Sequence, residues 1–244
     1  MKRLLNFRYF SKYIDKKEIE NFSKLGNVWM DEEKEFKALH SLNRLRVPAI
    51  LKSTNGNLND KNIIEVGCGG GILSFALARL GASVTGVDAC KESIVASTAS
   101  ADRILNPEIR KRVNFIHDTI ENISNTYDIV VASEVIEHVP SVEDFVNNCS
   151  RLLNKNGIIF FSTINKTLLS KIVAIELAEN ILNIVPQGVH DWKKFVDPNE
   201  LSILLKKNNV DVTLINGVTY NPITNKWSWI DNTSVNYFLI GKKL

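Results

Sequence analysis

The segment Glu65-Val66-Gly67-Cys68-Gly69-Gly70-Gly71 constrains the fold of this chain more than any other feature. It follows an apolar run at 63–66 that is typical of a strand, and it precedes a helix-length segment that ends at Arg79. Glycines allow a tight turn and a close approach of the backbone to a ligand, because no Cβ intervenes. In an open α/β sheet the first turn of this kind lies at the carboxyl edge of the strands, where ligands bind. We therefore predict a ligand site at this turn.

Apolar runs alternate with helix-length segments along the rest of the chain. We predict seven strands, at 63–66, 83–87, 113–116, 127–132, 158–163, 210–215 and 234–240. The alternation indicates an α/β fold, with a doubly wound, mostly parallel, seven-stranded Rossmann-like sheet that carries helices on both faces. We expect a helical lead-in from Glu18 to Ser53, and a helical lid insertion at about 166–195, after the fifth strand. The length of 244 residues fits one domain over 18–244.

The first 17 residues differ in composition from the rest of the chain. Residues 1–14 combine lysine and arginine with leucine and aromatic residues, and the first acidic residue is Asp15. This composition is typical of a mitochondrial transit peptide, and a basic tail fits it equally well. The cysteines Cys68, Cys90 and Cys149 lack the spacing of a disulfide framework or a zinc site. A net charge of +3 without a basic, aromatic patch argues against a nucleic-acid partner.

The residues around the glycine turn decide between two classes of ligand. A dinucleotide site would have a third glycine in place of Ile72, and Glu65 would repel a pyrophosphate. The carboxylate of Glu65 instead suits a cation that bears an ammonium and a sulfonium group. Asp88, which lies 17 residues past Gly71, ends the second predicted strand and can accept hydrogen bonds from both hydroxyls of a ribose. This pattern resembles that of the class I methyltransferases, which use S-adenosylmethionine, and a nicotinamide-dependent oxidoreductase is the weaker alternative.

A second group of polar residues, Glu134, Glu137 and His138, follows the fourth predicted strand. On a helical turn, the spacing i, i+3 and i+4 would place the three side chains on one face. Two carboxylates and an imidazole can bind a divalent cation, with magnesium or manganese favoured by the oxygens and zinc left open by the histidine. A metal there would lower the pKa of a catechol hydroxyl, whereas His138 could instead act as the general base. A solvated acidic face is the purely structural alternative.

Taken together with further segments, these motifs resemble the ubiquinone biosynthesis O-methyltransferases. The similar segments are residues 35–40, 42–46, 63–73, 133–140, 163–167, 184–188, 190–195 and 220–222. The resemblance covers about residues 18–240, and its lead-in and downstream segments are more specific than the glycine turn. It implies methylation of a catechol hydroxyl on polyprenylated dihydroxybenzoate-type rings and on demethylubiquinol, with S-adenosylmethionine as the methyl donor.

The resemblance also implies a role for seven residues. These are Arg46 for the carboxylate of the donor, Gly67 for its amino-acid end, Asp88 for its ribose, Ser133 in the lining of the donor site, and Glu134, Glu137 and His138 for magnesium and catalysis. The alternative to an enzyme is a non-catalytic subunit that binds lipid or the donor.

The resemblance extends to partners and location. Ser133-Glu134 is similar to the mitochondrial branch, which implies a transit peptide and a peripheral location on the matrix side of the inner mitochondrial membrane. A bacterial cytoplasm or inner-membrane surface is the alternative. A polyprenyl tail lies in the bilayer, so we expect the apolar surface of 168–185 to cover the ring pocket and contact lipid. Other ubiquinone-biosynthesis proteins are candidate partners in a complex. The candidates for the ring pocket are Trp192, Tyr220, Trp227 and Trp229.

Overall fold

A computed structural model describes residues 15–23, 29–34, 36–171 and 192–244. The basic segment 1–14 lies outside the described residues. So do residues 172–191, which make up most of the predicted lid insertion. Within the described ranges, no helix has the length and apolar character needed to cross a membrane.

Helices and strands alternate along most of the described chain. The helices are α1 (Lys16–Ser23), α2 (Lys37–Ser53), α3 (Ile72–Arg79), α4 (Lys91–Ile104), α5 (Pro107–Arg110), α6 (Val142–Arg151), α7 (Leu168–Ser170) and α8 (Pro198–Lys207). The strands are β1 (Asn62–Val66), β2 (Ser83–Asp88), β3 (Val113–His117), β4 (Tyr127–Ser133), β5 (Leu153–Ile164), β6 (Val210–Asn221), β7 (Lys226–Ile230) and β8 (Asn236–Lys243). Short 3₁₀ turns cover Ile120–Asn122, Ile136–His138 and Trp192–Lys194.

The strands form one sheet in the order β3-β2-β1-β4-β5-β8-β6-β7. The pairs among β1 to β5 are parallel, and the pairs that involve β6, β7 and β8 are antiparallel. One hydrophobic core cluster contains side chains of α6 and α8, and a second contains side chains of α2 and α3. The central strands β1 and β4 are buried along nearly their whole length, as expected of parallel strands with helices on both faces. These features confirm the predicted α/β class.

The sheet has eight strands among the described residues, one more than we predict from the sequence. Strand β6 continues to Asn221, and β7 returns beside it as an antiparallel edge strand. The side-chain oxygen of Asn221 accepts the backbone N–H groups of Ile223 and Thr224, and Asn225 has a left-handed φ of 48°, so the chain reverses within a few residues. Strand β7 is only five residues long and contains no fully buried residue, so it lacks the signal of a buried strand.

Among the described residues, the predicted helical lead-in consists of two helices, with turns over residues 29–34 before the second. Between them the rings of Trp29 and Phe36 stack with centroids 3.8 Å apart, and both side chains are buried. Burying these two rings requires the chain to leave the helical path before α2 begins. Helix α1 begins at Lys16, two residues before the domain start that we predict at Glu18.

Candidate active site

The glycine turn joins β1 to α3 and adopts backbone conformations that favour glycine. Gly67 has a φ of 68°, and its N–H donates to the carbonyl of Val87 at 2.8 Å. A Cβ on Gly67 would lie 2.5 Å from Cγ2 of Val135, which is closer than two carbon atoms can approach. Any other residue at this position would therefore strain the backbone and displace the turn after β4.

A cavity of about 190 Å³ opens above the glycine turn. Its walls come from the carboxyl ends of the parallel strands, and residues of α1 and α2 also line it. Six of the predicted site residues line this cavity: Arg46, Gly67, Asp88, Ser133, Glu134 and His138. Glu137 is buried and is not among the described lining residues. The structure thus brings the predicted donor-binding residues together with two of the three predicted catalytic side chains.

Asp88 ends β2 with its carboxylate held by two backbone groups. Oδ2 accepts the N–H of Gly69 at 2.8 Å, and Oδ1 accepts the N–H of Cys90 at 2.8 Å. Burial raises the pKa of Asp88, although both hydrogen bonds and the neighbouring His117 oppose the shift. Each carboxylate oxygen has a further lone pair, so this side chain can still accept two hydroxyl groups. This geometry fits the role in binding a ribose that the sequence predicts for Asp88.

Glu65 is a buried carboxyl group next to the buried guanidinium of Arg46. The hydroxyl of Ser74 donates a hydrogen bond to Glu65 Oε2. Burial raises the pKa of Glu65 to about 7, against the opposing effects of Ser74 and of the charge on Arg46. A cationic ligand in the cavity would favour the ionised form of this carboxyl group.

The raised pKa of Glu65 predicts pH-dependent binding of the methyl donor. Below about pH 7 the carboxyl group is neutral, so it attracts the cationic donor less than its ionised form does. We expect the affinity to fall by about tenfold from pH 8 to pH 6, measured by calorimetric titration with S-adenosylmethionine. The control is Glu65→Gln, which keeps an acceptor for Ser74 and should show no such fall. The same pH dependence in both proteins would contradict this prediction.

Arg46 and Ser133 belong to one buried chain of hydrogen bonds. Nη1 of Arg46 donates to the hydroxyl of Ser133 at 2.9 Å, and this hydroxyl lies 2.7 Å from that of Ser162. Ser162 in turn donates to Glu134 Oε1 at 2.7 Å. The guanidinium is thereby connected to a carboxylate through two hydroxyl groups on adjacent strands. The Ser133 side chain, and not only its backbone, takes part in the site.

The predicted helical turn over Glu134, Glu137 and His138 is wrong. Glu134 has a left-handed φ of 59°, Val135 is also non-helical, and only Ile136–His138 form a short 3₁₀ turn. The left-handed residue turns the chain before that 3₁₀ turn begins. The three side chains therefore do not share a helical face.

These side chains also contact different parts of the protein. Glu134 Oε1 accepts the hydroxyl of Ser162, while Glu137 Oε2 accepts the hydroxyl of Thr163 at 2.8 Å. Among the described residues, no three His, Cys, Asp or Glu side chains are placed to hold a metal ion. Magnesium requires oxygen ligands that converge on one point at short distance. In this arrangement the residues do not fit the predicted magnesium site.

His138 forms an ion pair with a residue that the sequence did not indicate. Its Nδ1 lies 3.3 Å from Oε2 of Glu18 on α1. Burial lowers the pKa of His138, but the interaction of its ring with the carboxylate of Glu18 and the charge of Glu137 outweigh this effect, and the pKa is raised overall. The nearby Lys194 opposes the rise. The imidazole is thus a basic group that lines the cavity.

Besides Glu18, the sequence analysis did not identify two residues that line the cavity, Trp29 and Thr119. Trp29 packs closely on the glycine turn. A Cβ added to Gly70 would lie 2.2 Å from the Cβ of Trp29. No local pattern marks Trp29 or Glu18 as site residues, because tertiary contacts alone bring them to the cavity. Thr119 also lines the cavity just after β3. It could have been found from the sequence, because the carboxyl ends of parallel strands share one edge.

The aromatic residues predicted for the ring pocket do not line this cavity in the described part of the chain. None of Trp192, Tyr220, Trp227 and Trp229 is among the described residues that line the cavity. The ring centroids of Trp227 and Tyr220 lie 5.0 Å apart, and Trp227 donates its Nε1–H to the carbonyl of Ala38. The ring of Trp229 packs edge-on against that of Phe238. Trp192 packs against Ile164 and Phe195. These rings serve the packing of the last strands and of the segment after the insertion.

Comparison with known proteins identifies the fold and the family. Residues 34–215 match a family model described as a methyltransferase domain. A solved structure of similar fold is magnesium protoporphyrin IX methyltransferase from Synechocystis PCC 6803 with bound SAH, with a TM-score of 0.66, 19% identity and 86% of each chain covered. The mitochondrial ubiquinone biosynthesis O-methyltransferase of Rattus norvegicus is 42% identical over 93% of this chain and 69% of its own length. The ubiquinone biosynthesis O-methyltransferase of Pelagibacter ubique is 38% identical over 92% of this chain and 96% of its own length.

This chain belongs to the ubiquinone biosynthesis O-methyltransferases. It covers about two thirds of the length of the mammalian relatives, including 64% of the Homo sapiens protein. It covers nearly the whole length of the bacterial relative from Pelagibacter ubique. Family and fold together make it an S-adenosylmethionine-dependent methyltransferase, which confirms the predicted family, fold class and enzyme class. The family and the fold exclude the alternative prediction that this chain is a nicotinamide-dependent oxidoreductase. Its relatives are both mitochondrial and bacterial.

Proposed function

We propose that this methyltransferase acts on a catechol hydroxyl of polyprenylated rings, with polyprenyl-dihydroxybenzoate and demethylubiquinol as substrates. The observation that carries the proposal is that His138 lines the same cavity as Asp88 and Arg46. A basic side chain is therefore available next to the residues that we assign to the methyl donor. The names of the relatives support a substrate from ubiquinone biosynthesis.

Four residues hold the donor in this proposal. Asp88 accepts both ribose hydroxyls on the lone pairs that its backbone hydrogen bonds leave available. The carboxylate of Glu65 attracts the ammonium group of the donor, and the guanidinium of Arg46 attracts its carboxylate. Each charged group of the amino-acid portion therefore faces a side chain of opposite charge. The absence of a side chain at Gly67 lets this portion lie against the backbone.

Catalysis then requires deprotonation of the catechol. The bound donor supplies a methyl group made electrophilic by a sulfonium. His138 accepts the hydroxyl proton while the catechol oxygen bonds to the methyl carbon and the carbon–sulfur bond breaks, which leaves S-adenosylhomocysteine and an imidazolium. Glu134 and Glu137 act indirectly, because each carboxylate accepts a hydroxyl of β5 and supports the turn that carries His138.

Methyl transfer to defined substrates tests this function. We expect labelled methyl groups to pass from S-adenosylmethionine to a short-tailed dihydroxybenzoate and to a short-tailed demethylubiquinol, with the product methylated on oxygen. Donor binding without transfer to either ring would overturn the proposal and favour the non-catalytic subunit. A parallel assay with a chelator and with added magnesium tests the predicted magnesium requirement separately.

We also propose a peripheral contact with the membrane near the start of the lid insertion. Leu168 and Leu169 are 73% and 48% exposed. Beside them, the ammonium groups of Lys166 and Lys171 lie 6.0 Å and 5.8 Å from the ring centroid of Trp192. Exposed leucines next to lysines and a tryptophan suit the interface of an anionic bilayer. The surface would be the matrix side of the inner mitochondrial membrane or a bacterial inner membrane, where other ubiquinone-biosynthesis proteins could join in a complex.

Replacing both exposed leucines tests the membrane contact. Leu168→Ser with Leu169→Ser should weaken binding to anionic phospholipid vesicles by about tenfold, because each side chain loses apolar area to bury. Turnover of a short-tailed, water-soluble substrate should stay within a few fold. The matched control is Ile203→Ser on α8, where the isoleucine is 60% exposed. Equal vesicle binding by the double variant and the control would contradict the proposal.

A further inference from the structure

We infer that Asn43 is a positioning residue for the methyl donor, whose side-chain amide fixes the guanidinium of Arg46 so that the two terminal nitrogens bind the donor carboxylate. The inference rests on the proposed function, in which Arg46 attracts that carboxylate. It adds to that function a residue that does not itself line the cavity in the described part of the chain.

The side-chain amide of Asn43 joins two parts of the donor site. Its oxygen accepts the Nε–H of Arg46 at 2.7 Å, three positions further along α2. Its Nδ2 donates to the carbonyl of Ile72 at 3.0 Å, and Ile72 is the first residue of α3, directly after the glycine turn. A guanidinium only donates and a carbonyl only accepts, so a flipped amide would lose both hydrogen bonds. Asn43 therefore fixes the guanidinium relative to the glycine turn.

The guanidinium of Arg46 is held at all three of its nitrogens. Besides the hydrogen bond to Asn43, Nη1 donates to the hydroxyl of Ser133 at 2.9 Å, and Nη2 donates to the carbonyl of Leu39 at 3.4 Å. These contacts use three of the five N–H groups, which leaves one on each terminal nitrogen. The side chain is buried, and it lines the cavity. Two N–H groups of one guanidinium can bind both oxygens of a carboxylate.

Loss of the Asn43 amide would release the guanidinium at Nε. The Nε–H would then be a buried donor without its acceptor, so the planar group would turn toward another partner. The contacts to Ser133 and Leu39 would remain, and the second of these is long. A turned guanidinium keeps its charge, but it offers the donor carboxylate one hydrogen bond instead of two. The loss of affinity therefore concerns the carboxylate of the ligand, and not its ribose or its ammonium group.

Calorimetric titration of the full chain with two ligands tests the inference. The ligands are S-adenosylmethionine and decarboxylated S-adenosylmethionine, which keeps the ammonium, sulfonium and ribose groups and lacks only the carboxylate. We expect Asn43→Leu to weaken binding of S-adenosylmethionine by about tenfold, which corresponds to the loss of one hydrogen bond to a charged group. Binding of the decarboxylated ligand should stay within a few fold. In steady-state kinetics the KM for S-adenosylmethionine should rise while kcat stays within a few fold.

A pair of residues on α6 repeats this arrangement and provides a matched control. Oδ1 of Asn148 accepts a hydrogen bond from Nη2 of Arg151 at 3.3 Å, three positions further along the helix. Nδ2 of Asn148 donates to the carbonyl of Asp144 at 2.9 Å. Neither Asn148 nor Arg151 is among the described residues that line the cavity. Asn148→Leu should therefore keep the affinity for both ligands within a few fold.

Arg46→Gln separates the inference from the donor assignment on which it rests. We expect this variant to lose most of the preference for the ligand with the carboxylate, and Asn43→Leu to weaken binding no further in its background. If Arg46→Gln kept the preference, the carboxylate would not lie on Arg46, and this part of the proposed function would fail together with the inference. If Arg46→Gln lost the preference while Asn43→Leu kept it, the donor assignment would stand and the inference alone would fail.

Two further outcomes would show that Asn43 has only a structural role. Equal weakening of both ligands in Asn43→Leu would mean that the variant disturbs the site as a whole. A tenfold loss when Asn43→Leu is added to Arg46→Gln would mean that Asn43 acts without Arg46. Either result would overturn the inference. If Asn43→Leu did not fold, Asn43→Ser should show the same selective loss, because its shorter side chain cannot reach Nε of Arg46.

Discussion

His138→Gln is expected to lower kcat for catechol methylation by about 10²- to 10⁴-fold, the range that a positioned general base contributes. The amide of glutamine fills similar space and can form hydrogen bonds, but it cannot accept a proton near neutral pH. The hydroxyl would then have to lose its proton to water before it attacks the methyl group. Donor affinity should remain within a few fold, since the predicted ribose and carboxylate contacts lie on Asp88 and Arg46.

Single-turnover methyl transfer and calorimetric donor binding measure these two properties independently. The matched control is His117→Gln, because His117 contacts the backbone carbonyl of Ala89 and is not among the described residues that line the cavity. It should keep kcat within a few fold of the unmodified protein. Full activity in His138→Gln would show that another group removes the proton.

Asp88→Ala is expected to weaken binding of S-adenosylmethionine by about a hundredfold or more. The substitution removes the carboxylate that would accept two ribose hydroxyls, and a hydrogen bond to a charged group contributes about 1.5–3 kcal/mol. It also leaves the N–H groups of Gly69 and Cys90 without their acceptor, so the turn loses its fixed position. Calorimetric titration with the donor measures the loss, and saturating donor should recover part of the turnover.

A carboxylate at the other edge of the sheet gives the control for Asp88. Asp128, near the start of β4, accepts the backbone N–H of Asn62 at 3.0 Å and the side-chain amide of Asn154 at 3.1 Å. Asp128→Ala should lower stability without changing donor affinity. If the Asp88 variant bound the donor as tightly as the control, the ribose would not lie on Asp88. If the Asp88 and His138 variants each lost both binding and turnover, the division of the site into two halves would be wrong.

The residues of the proposed donor half of the site could be predicted from the sequence because their geometry is local. A glycine turn directly after a buried strand has few conformations, and the end of the next parallel strand must lie beside it. Gly67 and Asp88 follow from this rule, and both line the cavity. Arg46 and Ser133 came from the family resemblance, and the structure brings them to the same cavity.

The catalytic half could not be predicted because it depends on one backbone angle and on distant contacts. The spacing of Glu134, Glu137 and His138 is that of a helical face, but the left-handed conformation of Glu134 breaks the helix before it starts. The carboxylates then form hydrogen bonds with β5, and the histidine forms an ion pair with α1. Spacing along a sequence indicates a shared face only where the backbone is helical.

The sequence by itself determined the strands other than β7, the glycine turn, the acidic residues of the proposed donor site and the family of this protein. Each of these depends on residues close together in the chain or on the shared edge of a parallel sheet. The tertiary structure alone decided where the two helices of the lead-in separate and that Trp29 covers the turn. It alone decided that Glu18 reaches His138. Contacts between segments so far apart in the chain depend on the packing and burial of the whole domain, and local sequence patterns do not predict them.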